Sequence, residues 1–299
     1  MISSTDSSKI NFQSANSRVG LIAGSGRLPL IFAQSEHMRG RVVAVAHLDE
    51  TDPTLADWVE DIHWVRLGQF KRVLTYLAGF GVRDVVLVGG IRKARIWHIR
   101  PDMLALQMVF RLRHLQDDML LRGIADQLQQ KGFLVRGITE YLPELLAPVG
   151  QLSRRSPTPL QWEDIRFGWS IAKELGRLDI GQGVVVKEKV VVAVEAMEGT
   201  DAMIQRAGAL AFGGRRGKGL GALVKVVKPQ QDLRLDLPTI GPQTIENLHR
   251  AGIGLLVIEA GGVIILDPEV TFKAVDESGL VLLALRQEDV DHGYLAMDS

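Results

Sequence analysis

Cysteine is absent from the 299 residues, which excludes disulfides, thiolate metal centres, iron–sulfur clusters and cysteine nucleophiles together. A surplus of charge is missing too. With 35 Lys+Arg against 35 Asp+Glu, no global field draws the chain to nucleic acid or to an anionic membrane, and any such attraction has to be local. No apolar run approaches the roughly 18 residues that a membrane span needs. Residues 1–17 have neither a basic start nor an apolar h-region and read as a flexible tail rather than a signal peptide. The seven histidines form no HxH or HxxxH pair, and neither a Walker A pattern nor a GxSxG elbow occurs. Zinc hydrolases, P-loop NTPases and the common serine hydrolases therefore lose ground. Asp61-Ile62-His63 has the DxH beginning of a metallophosphoesterase, but no Asn-His-Glu or Asn-His-Asp segment follows it. What is present, 46% hydrophobic and 23% charged residues, is globular usage, and the length suits two domains with a core each. The expected compartment is the cytoplasm.

From Arg18 onward apolar runs alternate with helical segments: Val19 to Ala23, Leu28 to Met38, Val42 to Ala46, a helix from about Gln69, and Val85 to Val88. Strands separated by helices predict a Rossmann-like parallel sheet with crossover helices. Its first strand runs into Gly24-Ser25-Gly26-Arg27-Leu28-Pro29, where backbone N–H groups and a helix N-terminus can face an anionic ligand. Pro29 replaces the third glycine of the dinucleotide fingerprint, although Asp49 and Glu50 sit near the place of a ribose-binding acid. The other reading is a tight βα turn with no ligand. Gly89-Gly90 ends a second strand on the same expected edge, either as part of the binding site or as a plain turn. Between Ile91 and His114 six Lys/Arg and one acid are interleaved with Trp97, Leu104, Met108, Val109 and Phe110. This basic amphipathic stretch suits phosphate head groups at a membrane surface, or equally a helix pair with a solvated basic face. Asp117-Asp118 read as the acidic start of a helix rather than as metal ligands.

Around 148–160 the periodicity fades into Pro148, Gly150, Ser153, Ser156, Pro157 and Pro159, the composition of a linker between domains 18–147 and 161–299. The second domain also reads as α/β: a helix over Trp162 to Arg177, a strand pair at Val184 to Val186 and Val190 to Val194, and a further strand at Ala222 to Val227. Helices at Gln243 to Ala251 and Glu269 to Asp276 then alternate with strands at Leu255 to Ile258, Val263 to Leu266 and Val281 to Leu285. Within it, Glu195 to Ile204 carries acids and Gly199 into a helix that Thr200 or Asp201 is expected to cap, with a hydroxyl and backbone donors facing outward. The strand at 222–227 delivers Lys225 and Lys228 ahead of Pro229 to Gly241, which holds Asp232, Arg234, Asp236 and Thr239. In an extended segment Asp232, Arg234 and Asp236 would share one face. Carboxylates there can hold Mg²⁺ against a phosphate whose remaining charge Lys and Arg neutralise; the alternative is a surface loop laced with ion pairs.

Four of these segments, Gly24 to Pro29, Gly176 to Gly183, Glu195 to Ile204 and Lys228 to Gly241, together resemble the UDP-2,3-diacylglucosamine pyrophosphatase family of lipid A biosynthesis, in its form unrelated to metallophosphoesterases. The similarity runs from about Arg18 to Leu285. It implies an N-terminal and a C-terminal α/β domain with the lipid product held between them, in the cytoplasm of a Gram-negative bacterium. It also implies Mg²⁺-dependent hydrolysis of the pyrophosphate to 2,3-diacylglucosamine 1-phosphate (lipid X) and UMP. The family's essential aspartate, in its Arg-x-Asp-Leu-Pro segment, falls on Asp236, as a Mg²⁺ ligand or water-orienting base, with Asp232 the second metal candidate. Substrate contacts are expected from Gly24, Ser25, Gly26, Gly89, Gly90, Gly199, Thr200, Asp201, Lys225, Lys228, Arg234 and Thr239. Contact with the inner membrane and a homodimer stay open, and nucleic acid is not an expected partner. The rival readings are a nucleotide-sugar- or lipid-binding protein without catalysis, and an NAD(P)-dependent oxidoreductase using Gly24 to Gly26 and Asp49.

Overall fold

The computed structural model describes residues 18–39, 41–90, 102–103, 117–212 and 221–292. The basic stretch 91–114 lies outside these residues apart from Asp102 and Met103. The chain divides into two compact units, Met1–Leu142 and Pro143–Ser299.

The first unit is built on five strands, β1 (Arg18–Ala23), β2 (Arg41–His47), β3 (Asp61–Val65), β4 (Asp84–Val88) and β5 (Leu134–Arg136), all parallel in the order β3-β2-β1-β4-β5. Parallel neighbours need crossovers, and α1 (Leu28–Arg39), α2 (Phe70–Gly79) and α3 (Asp117–Gln130) lie in the connections. Val42 through Ala46 are buried without a break, the mark of a parallel strand covered on both faces. The expected Rossmann-like sheet is therefore present. The Asp61-Ile62-His63 segment belongs to β3, an edge strand whose side chains are mostly part-exposed, so its polar residues need no chemistry to explain them. The unit closes with the single turn α4 (Ile138–Tyr141).

The second unit carries a six-stranded sheet in the order β6-β13-β11-β9-β7-β8, where β6 is Gly150–Gln151, β7 Gly183–Lys187, β8 Val190–Val194, β9 Ala222–Lys225, β11 Leu255–Glu259 and β13 Val281–Leu285. Strands β9, β11 and β13 are parallel, β7 runs against β9, and β8 runs against β7. A two-stranded parallel piece, β10 (Thr239–Ile240) with β12 (Ile264–Ile265), stands apart. The period of two along the strands sorts the core into two layers. Val184, Val186, Ala222, Val224, Leu255, Val257 and Leu283 pack with Trp162, Ile165, Trp169 and Ala172 of α5 (Pro159–Arg177). Val185, Leu223, Leu256, Ile258, Leu282 and Ala284 pack with α6 (Thr200–Ala207), α7 (Pro242–Ala251) and α8 (Pro268–Ser278). Gly168 lets α5 lie close on the sheet, because a methyl group there would sit 2.8 Å from Val224.

Residues 148–160, with the composition of a linker, are stitched to the second unit. Strand β6 pairs with β13, Leu152 N–H donates to Leu282 O at 2.9 Å, and the buried Ser153 hydroxyl accepts from Leu282 N at 3.0 Å. The attachment begins earlier still, where Ala147 N–H reaches Val263 O at 2.9 Å. Thr158 and Gln161 then cap α5 reciprocally.

Candidate functional site

In the first unit the glycine turns after β1 and β4 meet where the strand order reverses. Gly24 N–H donates to Val88 O (2.8 Å), Ser25 N–H to Gly90 O (2.8 Å) and Gly90 N–H to Ser25 O (3.1 Å), while the Ser25 hydroxyl also reaches Gly90 O (3.0 Å). A side chain on Gly24 would run into Gly90 O, and one on Gly89 would meet Ser25 O at 2.5 Å. Contact between two backbones is therefore what requires glycine at 24 and 89. The amides of Gly24, Ser25 and Gly90, expected to face an anion, are occupied by the carbonyl oxygens of Val88, Gly90 and Ser25. Gly26, at φ +92°, has open space around it and is glycine for its backbone conformation alone. Thr51 fastens the neighbouring turn by donating its hydroxyl to Ala23 O at 2.8 Å.

In the second unit the carboxyl ends of β8, β9 and β11 and the start of β7 fall on one edge, because β7 alone of these runs the other way. Asp179, Glu195, Lys225, Lys228 and Glu259 all lie at or just beyond that edge. Gly199, at φ +83°, is the residue before α6, and no side chain caps the helix. Thr200 is its first residue. Its hydroxyl points inward, contrary to the outward-facing donor expected: it donates to Glu195 Oε1 (2.6 Å) and accepts from Lys225 Nζ (2.9 Å). Lys225 also donates to Thr239 O (3.2 Å), so Thr200, Lys225 and Thr239 form one cluster. Asp201 lies in the first turn, where an acid suits the helix dipole, and it accepts from the buried Asn247 of α7 at 2.9 Å. Glu198, just before the helix, is paired with Arg206 at 2.6 Å; its local backbone N–H and then Arg206 hold its carboxyl below the usual carboxylate range.

The Lys228–Gly241 stretch is a turn over its middle, with Leu235 N–H and Asp236 N–H both donating to Asp232 O (2.9 and 3.2 Å). The extended segment with Asp232, Arg234 and Asp236 on one face is thereby corrected. Arg234 instead folds onto Asp232 through Nε (3.0 Å) and Nη2 (2.7 Å), engaging both carboxylate oxygens. Asp236 is exposed, and Gln231, itself 8% exposed, donates Nε2–H to its Oδ2 at 2.9 Å. Gln231 Oε1 accepts from Lys228 N–H at 3.2 Å, which fixes which way the amide faces. Lys228 Nζ pairs with Asp179 at 2.8 Å. Lys173 pairs with Glu259 at 2.6 Å, and Glu259 also accepts from Val227 N at 2.8 Å.

The expected cations thus divide. Lys228 and Arg234 each face a carboxylate, whereas Lys225, 5% exposed, makes no direct ion pair among the described residues. A desolvated ammonium with neutral oxygens as its immediate partners is suited to an incoming anion. No group of three or more Asp, Glu or His among the described residues could hold a metal ion by itself. Glu195, Gln231 and Asp179, absent from the expected substrate and metal contacts, prove to be the partners of Thr200, Asp236 and Lys228. A trace of the first was legible: Gly181 and Gly183 abut Glu195, and a side chain on Gly183 would sit 2.7 Å from Glu195 Oε2. No helix among the described residues is long and apolar enough to cross a membrane.

Comparison with known proteins bears on the whole chain. Residues 18–145 match the LpxI N-terminal domain, and residues 148–283 match the LpxI C-terminal domain. The "UDP-2,3-diacylglucosamine pyrophosphatase LpxI" of Caulobacter vibrioides is 38% identical over 278 residues, 91% of this chain and 99% of that protein. Among solved structures, the biotin carboxylase domain of Hydrogenobacter thermophilus 2-oxoglutarate carboxylase is 12% identical, covers 65% of this chain and 41% of its own, and has a TM-score of 0.26. N5-carboxyaminoimidazole ribonucleotide synthetase from Thermotoga maritima is 12% identical with coverages of 61% and 42% and a TM-score of 0.22. Those two likenesses are too slight to bear on this chain. With both domains matched in order across 18–283, the chain belongs to the LpxI family.

Proposed function

We propose that this protein hydrolyses the pyrophosphate of UDP-2,3-diacylglucosamine, giving 2,3-diacylglucosamine 1-phosphate and UMP, as a step in lipid A biosynthesis. The observation that carries the reading is the 38% identity to the Caulobacter vibrioides pyrophosphatase over nearly the full length of both chains. The chemistry of the second unit's edge supports it, since a buried Lys225 without a direct carboxylate partner and an exposed, oriented Asp236 lie on segments leaving one sheet edge.

In this reading a water oxygen attacks one phosphorus, the P–O bond to the bridging oxygen breaks, and that oxygen departs on the second phosphate. Asp236, held by Gln231, orients the water and takes its proton, or serves as the carboxylate through which a divalent ion is bound. Lys225 Nζ–H meets a non-bridging oxygen as negative charge gathers there. The donor set suits Mg²⁺, which is commonly held by one or two carboxylates with substrate phosphates and water completing its shell. Asp236 is the carboxylate that would hold it, whereas Asp232 has both oxygens engaged by Arg234. When bound, the ion supplies Lewis-acid polarisation of a phosphoryl oxygen.

The test is incubation of purified protein with UDP-2,3-diacylglucosamine and Mg²⁺, following UMP and the monophosphorylated lipid by mass spectrometry beside Asp236→Ala. The expected outcome is product from the parent chain and a loss of about 10² to 10⁴-fold in the variant. Equal product from both would keep the reaction and discard Asp236. No product from either, with the lipid still bound, would favour a binding protein.

A further inference from the structure

We infer that Glu195 is a positioning residue, acting through the Thr200 hydroxyl to hold the Lys225 ammonium with one N–H directed to a phosphate oxygen; this rests on the pyrophosphatase reading above. Glu195 is 7% exposed and directly follows the β8 strand, with Gly181 and Gly183 packed against it. Its Oε2 is buried and has no hydrogen-bond partner among the described residues, and its Oε1 accepts from Thr200 alone. A carboxylate sequestered this way is costly unless a cation compensates it. The cation in its hydrogen-bonded chain is Lys225, 2.9 Å beyond the Thr200 oxygen.

The direction of every bond in this chain follows from chemistry. A carboxylate has no proton to give and an ammonium has no lone pair, so the Thr200 hydroxyl must donate to Glu195 and accept from Lys225. Thr200 therefore has no donor left for a ligand. Lys225 has three N–H groups, of which Thr200 Oγ1 and Thr239 O take two. The third is placed by the other two. A neutral residue at 195 would let the hydroxyl turn, and with it the ammonium. The Glu195–Thr200–Lys225 chain thus explains why α6 begins with an inward-facing threonine and why β7 begins with a glycine, beside the Glu195 carboxylate.

The experiment uses the full-length protein labelled with ¹⁵N-lysine, together with turnover of UDP-2,3-diacylglucosamine in Mg²⁺. A buried ammonium bonded at two acceptors exchanges its protons slowly and gives a side-chain resonance, assigned to Lys225 by its absence in Lys225→Met. Glu195→Gln, close in shape, is expected to remove or shift that resonance and to lower kcat about tenfold to a hundredfold. Thr200→Ser, which keeps the bridging hydroxyl, should retain both. In a Thr200→Val background the Glu195→Gln change should alter kcat less than about twofold, because the bridge is already gone. If Glu195→Gln leaves the resonance and kcat unaltered, or lowers kcat equally with and without the Thr200 hydroxyl, the inference is overturned. If the unaltered protein does not turn over the lipid yet its Lys225 resonance still depends on Glu195, the positioning stands and the pyrophosphatase reading fails.

Discussion

The carboxyl ends of the two sheets leave their polar groups in opposite states. At the β1–β4 junction of the first unit, Gly24, Ser25, Gly89 and Gly90 press backbone against backbone, and three amides expected to receive an anion are bonded within the pair of turns. At the edge of the second unit Gly181 also abuts a backbone oxygen, that of Glu195, but Gly183 makes room for the buried Glu195 carboxylate, and the chain of bonds from that acid ends on an ammonium with a donor to spare. A glycine-rich turn marks close approach in both places. What separates a structural contact from a binding site is the hydrogen-bonding capacity left over after the protein has satisfied itself.

This contrast can be broken most directly at Lys225. Lys225→Met keeps the buried stem and removes the ammonium, and turnover is expected to fall about 10² to 10³-fold in a protein that still folds by near-UV circular dichroism. Unchanged turnover would make the second edge as purely structural as the first. A smaller effect, on stability instead, is expected from Gly89→Ala. The new methyl meets Ser25 O at 2.5 Å while the backbone stays at φ +93°, so denaturant unfolding should show a loss of about 2–3 kcal/mol. Gly26→Ala sharpens the comparison from the same turn. With nothing within 4 Å and φ +92°, it should cost only about 1 kcal/mol, and an equal loss at 26 and 89 would refute the backbone contact as the reason for glycine.

The two units also differ in how far their sequences could be read. Long apolar strands separated by amphipathic helices announced both sheets, and four motifs in order, Gly24 to Pro29, Gly176 to Gly183, Glu195 to Ile204 and Lys228 to Gly241, pointed to the family. Strands β5, β6 and β10 have three residues or two and are too short to carry a period, whereas the equally short β12 falls within the strand expected at Val263 to Leu266. Strand β3 hid behind Asp61, His63 and Trp64, because an edge strand with part-exposed faces tolerates polar residues that a central strand would not. The 148–160 stretch carried linker composition, yet Ser153 uses its own hydroxyl and Leu152 its backbone to bind β13. Composition reports what a segment is made of and says nothing of a strand edge waiting elsewhere in the chain.

The sequence by itself determined the α/β class, the two sheets, the family and the candidates Lys225, Lys228, Asp232, Arg234 and Asp236, since periodicity and motif order are properties of the chain alone. Only the tertiary structure decided which of those residues satisfy each other. Arg234 goes to Asp232, Lys228 to Asp179 and Thr200 to Glu195, while Lys225 keeps an unused donor. Arg234–Asp232 and Thr200–Glu195 are close along the chain and are set by local turns, whereas Lys228–Asp179 and Lys225–Thr200 join residues far apart in sequence, at separations of about 3 Å that exist only once the sheet has brought their strand ends together.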